Sequence, residues 1–434
     1  MLTGHDSHEV NDNGIAAAVQ PFAAQAADLV RTEDLAWRQR AAKVIPGGMY
    51  GHVRSTVMPD AYPQFMNRSA GAKVWDIDGN EYVDLMCAWG PMILGYGHPK
   101  VDEAFAKQLA QGDIADGPSP RMVELAERFV DVVAHADWAI FGKNGTDVTT
   151  TALTVARAAT GKKKILKAAV AYHGSIPWCT PTPAGVTPED RAHLIEFVYN
   201  DIESFAAAVA HAGDDLAGAI LAPHRHDILT DQLPIVPEFA RAVRRICDEK
   251  GAVLILDDVR SGFRVDVHGS WEPIGVRPDL TAFSKCIANG YPLSALTGIS
   301  SLADAMSSVY VTGSFWYGAA AMAAGIACLD TMIETNAQAA IIARGEQLQA
   351  GLREQITRHR LPAVVSGPAG MPFVRFDVED PMSLAYPWSN ELIRRGVYVH
   401  PFHNWFLSSA HTVLDIDRAL EASDAAFALV ASRL

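Results

Sequence analysis

Ala252-Val-Leu-Ile-Leu-Asp257-Asp258-Val259 is an apolar run that stops on two acids. Apolar runs of this length bounded by polar residues read as buried strands. Open α/β sheets bind ligands beyond the carboxyl ends of their strands, so Asp257 stands where such a sheet places its chemistry. The plainer reading is a turn-capping acid paired with Arg260 or Arg264. Lys285 closes a second apolar run, Leu280-Thr-Ala-Phe-Ser284, just before the breaker-rich Ala288-Asn-Gly-Tyr-Pro292. A desolvated ammonium is costly unless it is paired or chemically used. A solvated surface lysine is the alternative.

Outward from these runs, strand-like segments at 138–141, 164–168, 218–222, 252–256 and 280–283 alternate with helical periodicity at 146–159, 237–249 and 319–334. Strands joined through helices imply a mostly parallel sheet. The ends of the chain read differently. Residues 73–84 alternate apolar and polar around Asp78-Gly79, the pattern of a β-hairpin. After Ala327 the sequence predicts a long amphipathic helix at 337–358, a strand at 372–377 and a last helix from about Asp415. The expected division is an N-terminal extension at 1–34, the first part of a small domain at 35–105, a large α/β domain at 106–325 and the rest of a small α+β domain at 326–434.

With 434 residues, 49% hydrophobic and 20% charged, the chain is too long for one small core and too apolar for disorder. Asp and Glu outnumber Lys and Arg by 50 to 36, a net charge of -14, which leaves no basic footprint for nucleic acid. Five scattered cysteines do not suit a disulfide framework, and a reducing cytoplasm is the simpler setting. The first basic residue is Arg31, after Asp6, Glu9 and Asp12, unlike a secretory leader, and no apolar run reaches the ~18 residues of a membrane span. His5 and His8 in that polar stretch are expected to be solvated.

Two further constellations stand in order before Asp257. Gly142-Lys-Asn144-Gly145-Thr146-Asp147 follows a strand and opens a helix, either as an anion cradle or as an ordinary N-cap. Tyr172-His173-Gly174 follows the next strand and offers an aromatic face to a planar ligand, or to the core. An anion turn, an aromatic pair, a strand-end acid and a strand-end lysine together meet the needs of pyridoxal phosphate. His224, His226 and Asp227 could instead serve a metal hydrolase, but their spacing matches no zinc pattern. No metal is expected.

From about Val44 onward the chain resembles the fold-type I, class III aminotransferases, most of all the glutamate-1-semialdehyde aminomutase group. The resemblance rests on Ile45-Pro-Gly-Gly48 with Val53-Arg54, Trp89-Gly-Pro-Met-Ile-Leu-Gly95 with His98-Pro99, the Asn-Gly-Thr turn, Tyr172-His-Gly174, Asp257-Asp-Val-Arg-Ser-Gly-Phe-Arg264 and Lys285. It implies a seven-stranded, mostly parallel sheet with helices on both faces, a smaller α+β domain and a homodimer with shared active sites. By position, Lys285 would carry pyridoxal 5'-phosphate as a Schiff base, and Asp257 would partner its ring nitrogen. Val259 and Tyr172 would pack on the two ring faces, with His173 beside them. Asn144, Gly145 and Thr146 would cradle the phosphate, closed by Thr312 or Ser314 of a neighbouring subunit. Arg54 would clamp a substrate carboxylate through its planar fork, near Trp89.

Departures from the family pattern refine the expectation. Arg260 stands where methionine is usual and adds a positive charge beside the site. The loop between Gly174 and Leu194 is shorter than the aminomutase lid, which favours release of products over retention of an intermediate. Met49-Tyr50-Gly51, Phe315-Trp316-Tyr317 and Phe402-His403-Asn404-Trp405 add aromatic residues, suited to a cyclic, dehydroshikimate-like keto acid or to packing at a dimer interface. The expected activity is transfer of an amino group from a donor, glutamate, to a carboxylate-bearing keto substrate. A 2,1-aminomutase and a non-catalytic pyridoxal-phosphate-binding protein are the alternatives.

Overall fold

A computed structural model describes residues 29–54, 57–228 and 230–434. Residues 1–28 of the expected extension, with His5 and His8, lie outside the described residues. The folded chain starts before residue 35, because helix Thr32–Val44 is docked through Asp34. That buried carboxylate accepts hydrogen bonds from Gln64 N (2.8 Å) and Phe65 N (3.1 Å) and pairs with Arg38 Nε at 2.7 Å.

The expected hairpin forms between β2 (Lys73–Asp76) and β3 (Glu81–Asp84), beside β1 (Met66–Ala70). Asp76 fixes its turn by accepting from Asn80 N at 2.8 Å and Tyr82 Oη at 2.7 Å. The large sheet uses β4 (Trp138–Gly142), β5 (Lys164–Ala168), β6 (Leu194–Phe197) and β7 (Leu216–Leu221). After a short ribbon of β8 (His224–Arg225) and β9 (Leu233–Pro234), it is completed by β10 (Val253–Asp257), β11 (Leu280–Phe283) and β12 (Ser294–Gly298). A second ribbon, β13 (Ala363–Ser366) with β14 (Phe373–Phe376), precedes β15 (Val397–Tyr398), which pairs parallel with β3 and brings the two ends of the chain into one small sheet.

The large sheet runs β4-β12-β11-β10-β7-β5-β6. All pairings are parallel except the two made by β12, which is antiparallel to both β11 and β4. Every residue of β10 is buried, as a strand covered on both faces requires. Leu254 and Leu256 join Phe239 and Val243 of helix Pro237–Lys250 on one face, while Val253 and Ile255 join Val148 and Ala152 of helix Gly145–Thr160 on the other. The two-residue period therefore sends Asp257, next in the odd-numbered series, toward helix Gly145–Thr160.

Helices Pro99–Gln111 and Ala319–Glu334 pack along each other and run across the expected divisions at 105/106 and 325/326. Their mutual packing makes each a continuous element across those divisions. Helix Met382–Arg394 is absent from the sequence expectation because Pro387 interrupts its pattern, yet it buries Leu384, Trp388 and Leu392.

Candidate active site

Asp257 ends β10 with its Oδ2 2.7 Å from His173 Nδ1 and its Oδ1 accepting from Val259 N at 3.2 Å. A carboxylate facing it makes Nδ1 the protonated ring nitrogen of His173. His173 is buried, and its backbone carbonyl accepts from Thr149 Oγ1 at 2.8 Å. Helix Gly145–Thr160 thus anchors the backbone of the residue whose imidazole faces Asp257.

Lys285 follows β11 in a tight turn with φ of 51°, and its Nζ donates to Trp89 O at 2.8 Å. Loss of hydration, then the positive charges of Arg260 and Arg264, push its pKa down to about 7. The carbonyl it meets belongs to a left-handed run, with φ of 47° at Cys87, 51° at Ala88 and 69° at Trp89. Such backbone costs roughly 1–2 kcal/mol per non-glycine residue and must be held by its surroundings. Asp84 holds it by accepting from Met86 N (2.7 Å) and Cys87 N (3.0 Å), and Arg264 Nη2 donates to Gly90 O at 2.5 Å.

At the start of helix Gly145–Thr160, Asp147 Oδ2 accepts from Lys143 N (2.9 Å) and Asn144 N (2.8 Å). The ordinary capping role is therefore real and uses those two amides. Gly145 and Thr146, in the first turn, lack the acceptors of the helix interior. Gly145 must stay bare: a Cβ there would stand 2.9 Å from Val259 Cγ1. Gly174 is likewise pressed on the cradle, since its Cβ would lie 2.6 Å from Thr146 Oγ1.

These groups share one cavity of about 710 Å³, lined among others by Asn144, Gly145, Thr146, Tyr172, His173, Asp257, Val259 and Lys285. A lysine of lowered pKa, a carboxylate braced by histidine and a side-chain-free helix start fit pyridoxal phosphate. Lys285 would hold it covalently, Asp257 at the ring nitrogen and Gly145-Thr146 at the phosphate, with Tyr172 and Val259 against the ring.

Other residues named from the sequence are placed differently. The Trp89 ring meets His400 and His403 edge-on, at 5.1 and 5.0 Å between centroids, and its carbonyl serves Lys285. Arg54 is exposed and does not line this chain's cavity. Thr312 is exposed and lines a smaller neighbouring cavity with Thr146, Thr150 and Trp316, while Ser314 is exposed. Tyr50 and Phe315 are exposed and Trp405 stacks on Trp388 at 5.6 Å, so none of the three walls the large cavity. Asp227 pairs with Arg225 at 3.0 Å, and among the described residues no group of three or more His, Cys, Asp or Glu side chains is placed to hold a metal.

Sequence reasoning missed Lys143 in the cavity and Asn404 behind it. Asn404 Oδ1 accepts from Arg260 Nη1 at 2.6 Å, and its one sequence signal was the departure at 402–405. The five cysteines are buried and free, and among the described residues no helix is long and apolar enough to cross a membrane.

A lysine and a carboxylate at neighbouring strand ends, facing a glycine-opened helix, define a pyridoxal-phosphate enzyme of fold type I. The family profile "Aminotransferase class-III" matches residues 56–420, and the chain belongs to that family. It is 48% identical over 400 residues to an aminopentol aminotransferase of Sphingopyxis macrogoltabida, covering 92% of this chain and 94% of the relative. The solved PLP form of the FumI protein of Sphingopyxis sp. MTA144 superposes with a TM-score of 0.90 at 48% identity, covering 92% of this chain and 96% of that one. The leaning toward the aminomutase group is thereby corrected. A glutamate-1-semialdehyde aminomutase of Pseudomonas aeruginosa PAO1 is 21% identical with a TM-score of 0.80, over 91% of this chain and 94% of that one, a likeness of fold alone. The motifs that suggested it build a cofactor site common to the wider family.

Proposed function

We propose that this aminotransferase takes its amino group from a primary amine of the aminopentol kind and passes it to a keto acid. The 48% identity to the aminopentol aminotransferase, sustained over 92% of the chain, carries this reading. Of the aromatic residues that pointed to a cyclic acceptor, Tyr50, Phe315 and Trp405 do not line this chain's own cavity, and the cyclic, dehydroshikimate-like acceptor is not part of this proposal. Glutamate as donor rested on no residue of this chain.

When bound, pyridoxal phosphate supplies the electron sink for a proton leaving the amine-bearing carbon. Lys285 Nζ, with its pKa lowered to about 7, accepts that proton in its neutral form and gives it back as a general acid. Asp257 would keep a proton on the ring nitrogen, and His173 would hold the carboxylate in place from behind. Burial of His173 and of the ends of β10 and β11 would keep water from the ring-nitrogen side of the site.

The test is purified enzyme with pyruvate and either an aminopentol or glutamate. Alanine formed faster from the aminopentol is the expected result. Alanine formed from glutamate but not from the aminopentol would overturn the donor, and amine isomerisation without any added acceptor would restore the aminomutase.

A further inference from the structure

Arg260 replaces the family's methionine and brings a cation into the cavity wall beside Lys285. Its hydrogen bonds to the described residues both leave from Nη1, to Asn404 Oδ1 at 2.6 Å and to His226 O at 3.4 Å. Asn404 is buried, and its Nδ2 donates to Trp405 O at 2.8 Å, so the amide is fixed with its oxygen toward the guanidinium. Nε and Nη2 have no hydrogen-bond partner among the described residues, and the side chain lines the cavity. No carboxylate of the described residues neutralises this cation by direct contact. Asp257 is committed to His173 and Val259, and Asp227 to Arg225.

A cation drawn partly out of water is costly unless an anion meets it. The remaining edge of the guanidinium, Nε with Nη2, matches a carboxylate in two parallel hydrogen bonds. Arg54 is exposed outside the cavity, and Arg264, whose Nη2 donates to Gly90 O, does not line it. Lys143 lines the cavity next to Asn144 of the cradle.

We propose that the Nε–Nη2 edge of Arg260, braced by Asn404, grips the carboxylate of the keto-acid acceptor within this chain's own cavity. The inference rests on the acceptor half of the proposed reaction and not on the identity of the amine donor. It also accounts for two unlike substrates in one cavity: the acceptor is held by its charge, whereas an amine without a carboxylate passes the same wall without that bond.

The test needs no amine donor, so a wrong donor leaves it intact. Apoenzyme loaded with pyridoxamine phosphate is mixed with pyruvate, or with propanal as an uncharged substrate of the same length, and the return of the pyridoxal absorbance is followed in single turnovers. Separately, binding of unreactive propionate to the pyridoxal form is titrated by its spectral change. Losing a charge-assisted bidentate contact should raise half-saturating pyruvate and the propionate Kd about 10-fold or more in Arg260→Met. Propanal should change by several-fold less, and Arg260→Lys should fall between. Equal losses with pyruvate and propanal, or an unchanged propionate Kd, would overturn the proposal and leave Arg260 as a support of the cofactor pocket. If Arg260→Met does not take up cofactor, propionate is titrated on Arg260→Lys and Asn404→Leu; an unchanged Kd in both overturns it equally.

Discussion

The floor of the cavity is anchored to β10 and β11, whose residues are all buried, while the segments expected to complete it lie open. Tyr310 is 89% and Phe315 67% accessible, and Arg54, Thr312 and Ser314 are exposed beside them in sequence or in role. The floor is finished within one chain. Tyr310 lines the smaller neighbouring cavity together with Thr312, and a second copy bringing Thr312 or Ser314 to the cradle is the arrangement the family resemblance implies.

Breaking the floor should have the largest effect. Lys285→Ala removes the covalent anchor and the proton carrier together, and turnover should fall by about 10³-fold or more, with loss of the lysine-bound cofactor absorbance. Near-normal rates would mean another group carries the proton. Asp257→Asn keeps the shape but not the charge, and a loss on the order of 100-fold in kcat, with cofactor still bound, is expected. An effect under threefold would remove the ring-nitrogen role.

The rim can be attacked without touching the floor. Tyr310→Asp with Phe315→Asp should shift the molecule to a smaller species in light scattering and lower activity about 10-fold, through weaker phosphate binding. Unchanged mass and activity would show that the rim needs no partner. The smallest effect concerns pH. Because burial and Arg260 hold Lys285 near 7, its base form is lost as the pH falls through that value, so the rate should drop on the acid side there. Arg260→Met removes a positive charge, raises the lysine pKa and should move that limb upward by about one unit. A limb that stays in place would separate the two residues electrostatically.

The same contrast explains what was legible. Strands β10 and β11 announce themselves because apolar runs stop abruptly at Asp257 and Lys285, and the hairpin is declared by Asp78-Gly79. Strand β12 is not, because Ser294-Ala-Leu-Thr-Gly298 has little β-branched character and its place is decided by its neighbours. Positions such as Thr312 can be assigned by resemblance, but the exposure that marks them as unfinished is a property of three dimensions. Arg260 was visible as an extra charge, whereas its brace, Asn404, is 144 positions away and needed the fold to bring it near.

The placement of β12 has a consequence for how the molecule is made. β4, which leads into Gly145-Thr146, joins the sheet at its edge through β12. The residues that would hold the phosphate are synthesised early, yet their strand cannot be tied to the one bearing Lys285 until residues 294–298 have been added and slotted between them. Such long-range closure is a slow class of folding event. A nascent chain that ends between Lys285 and Ser294 therefore carries the floor residues with β4 unpaired and the cradle held only by the packing of helix Gly145–Thr160 on the parallel strands; cofactor uptake during refolding should rise when β12 arrives.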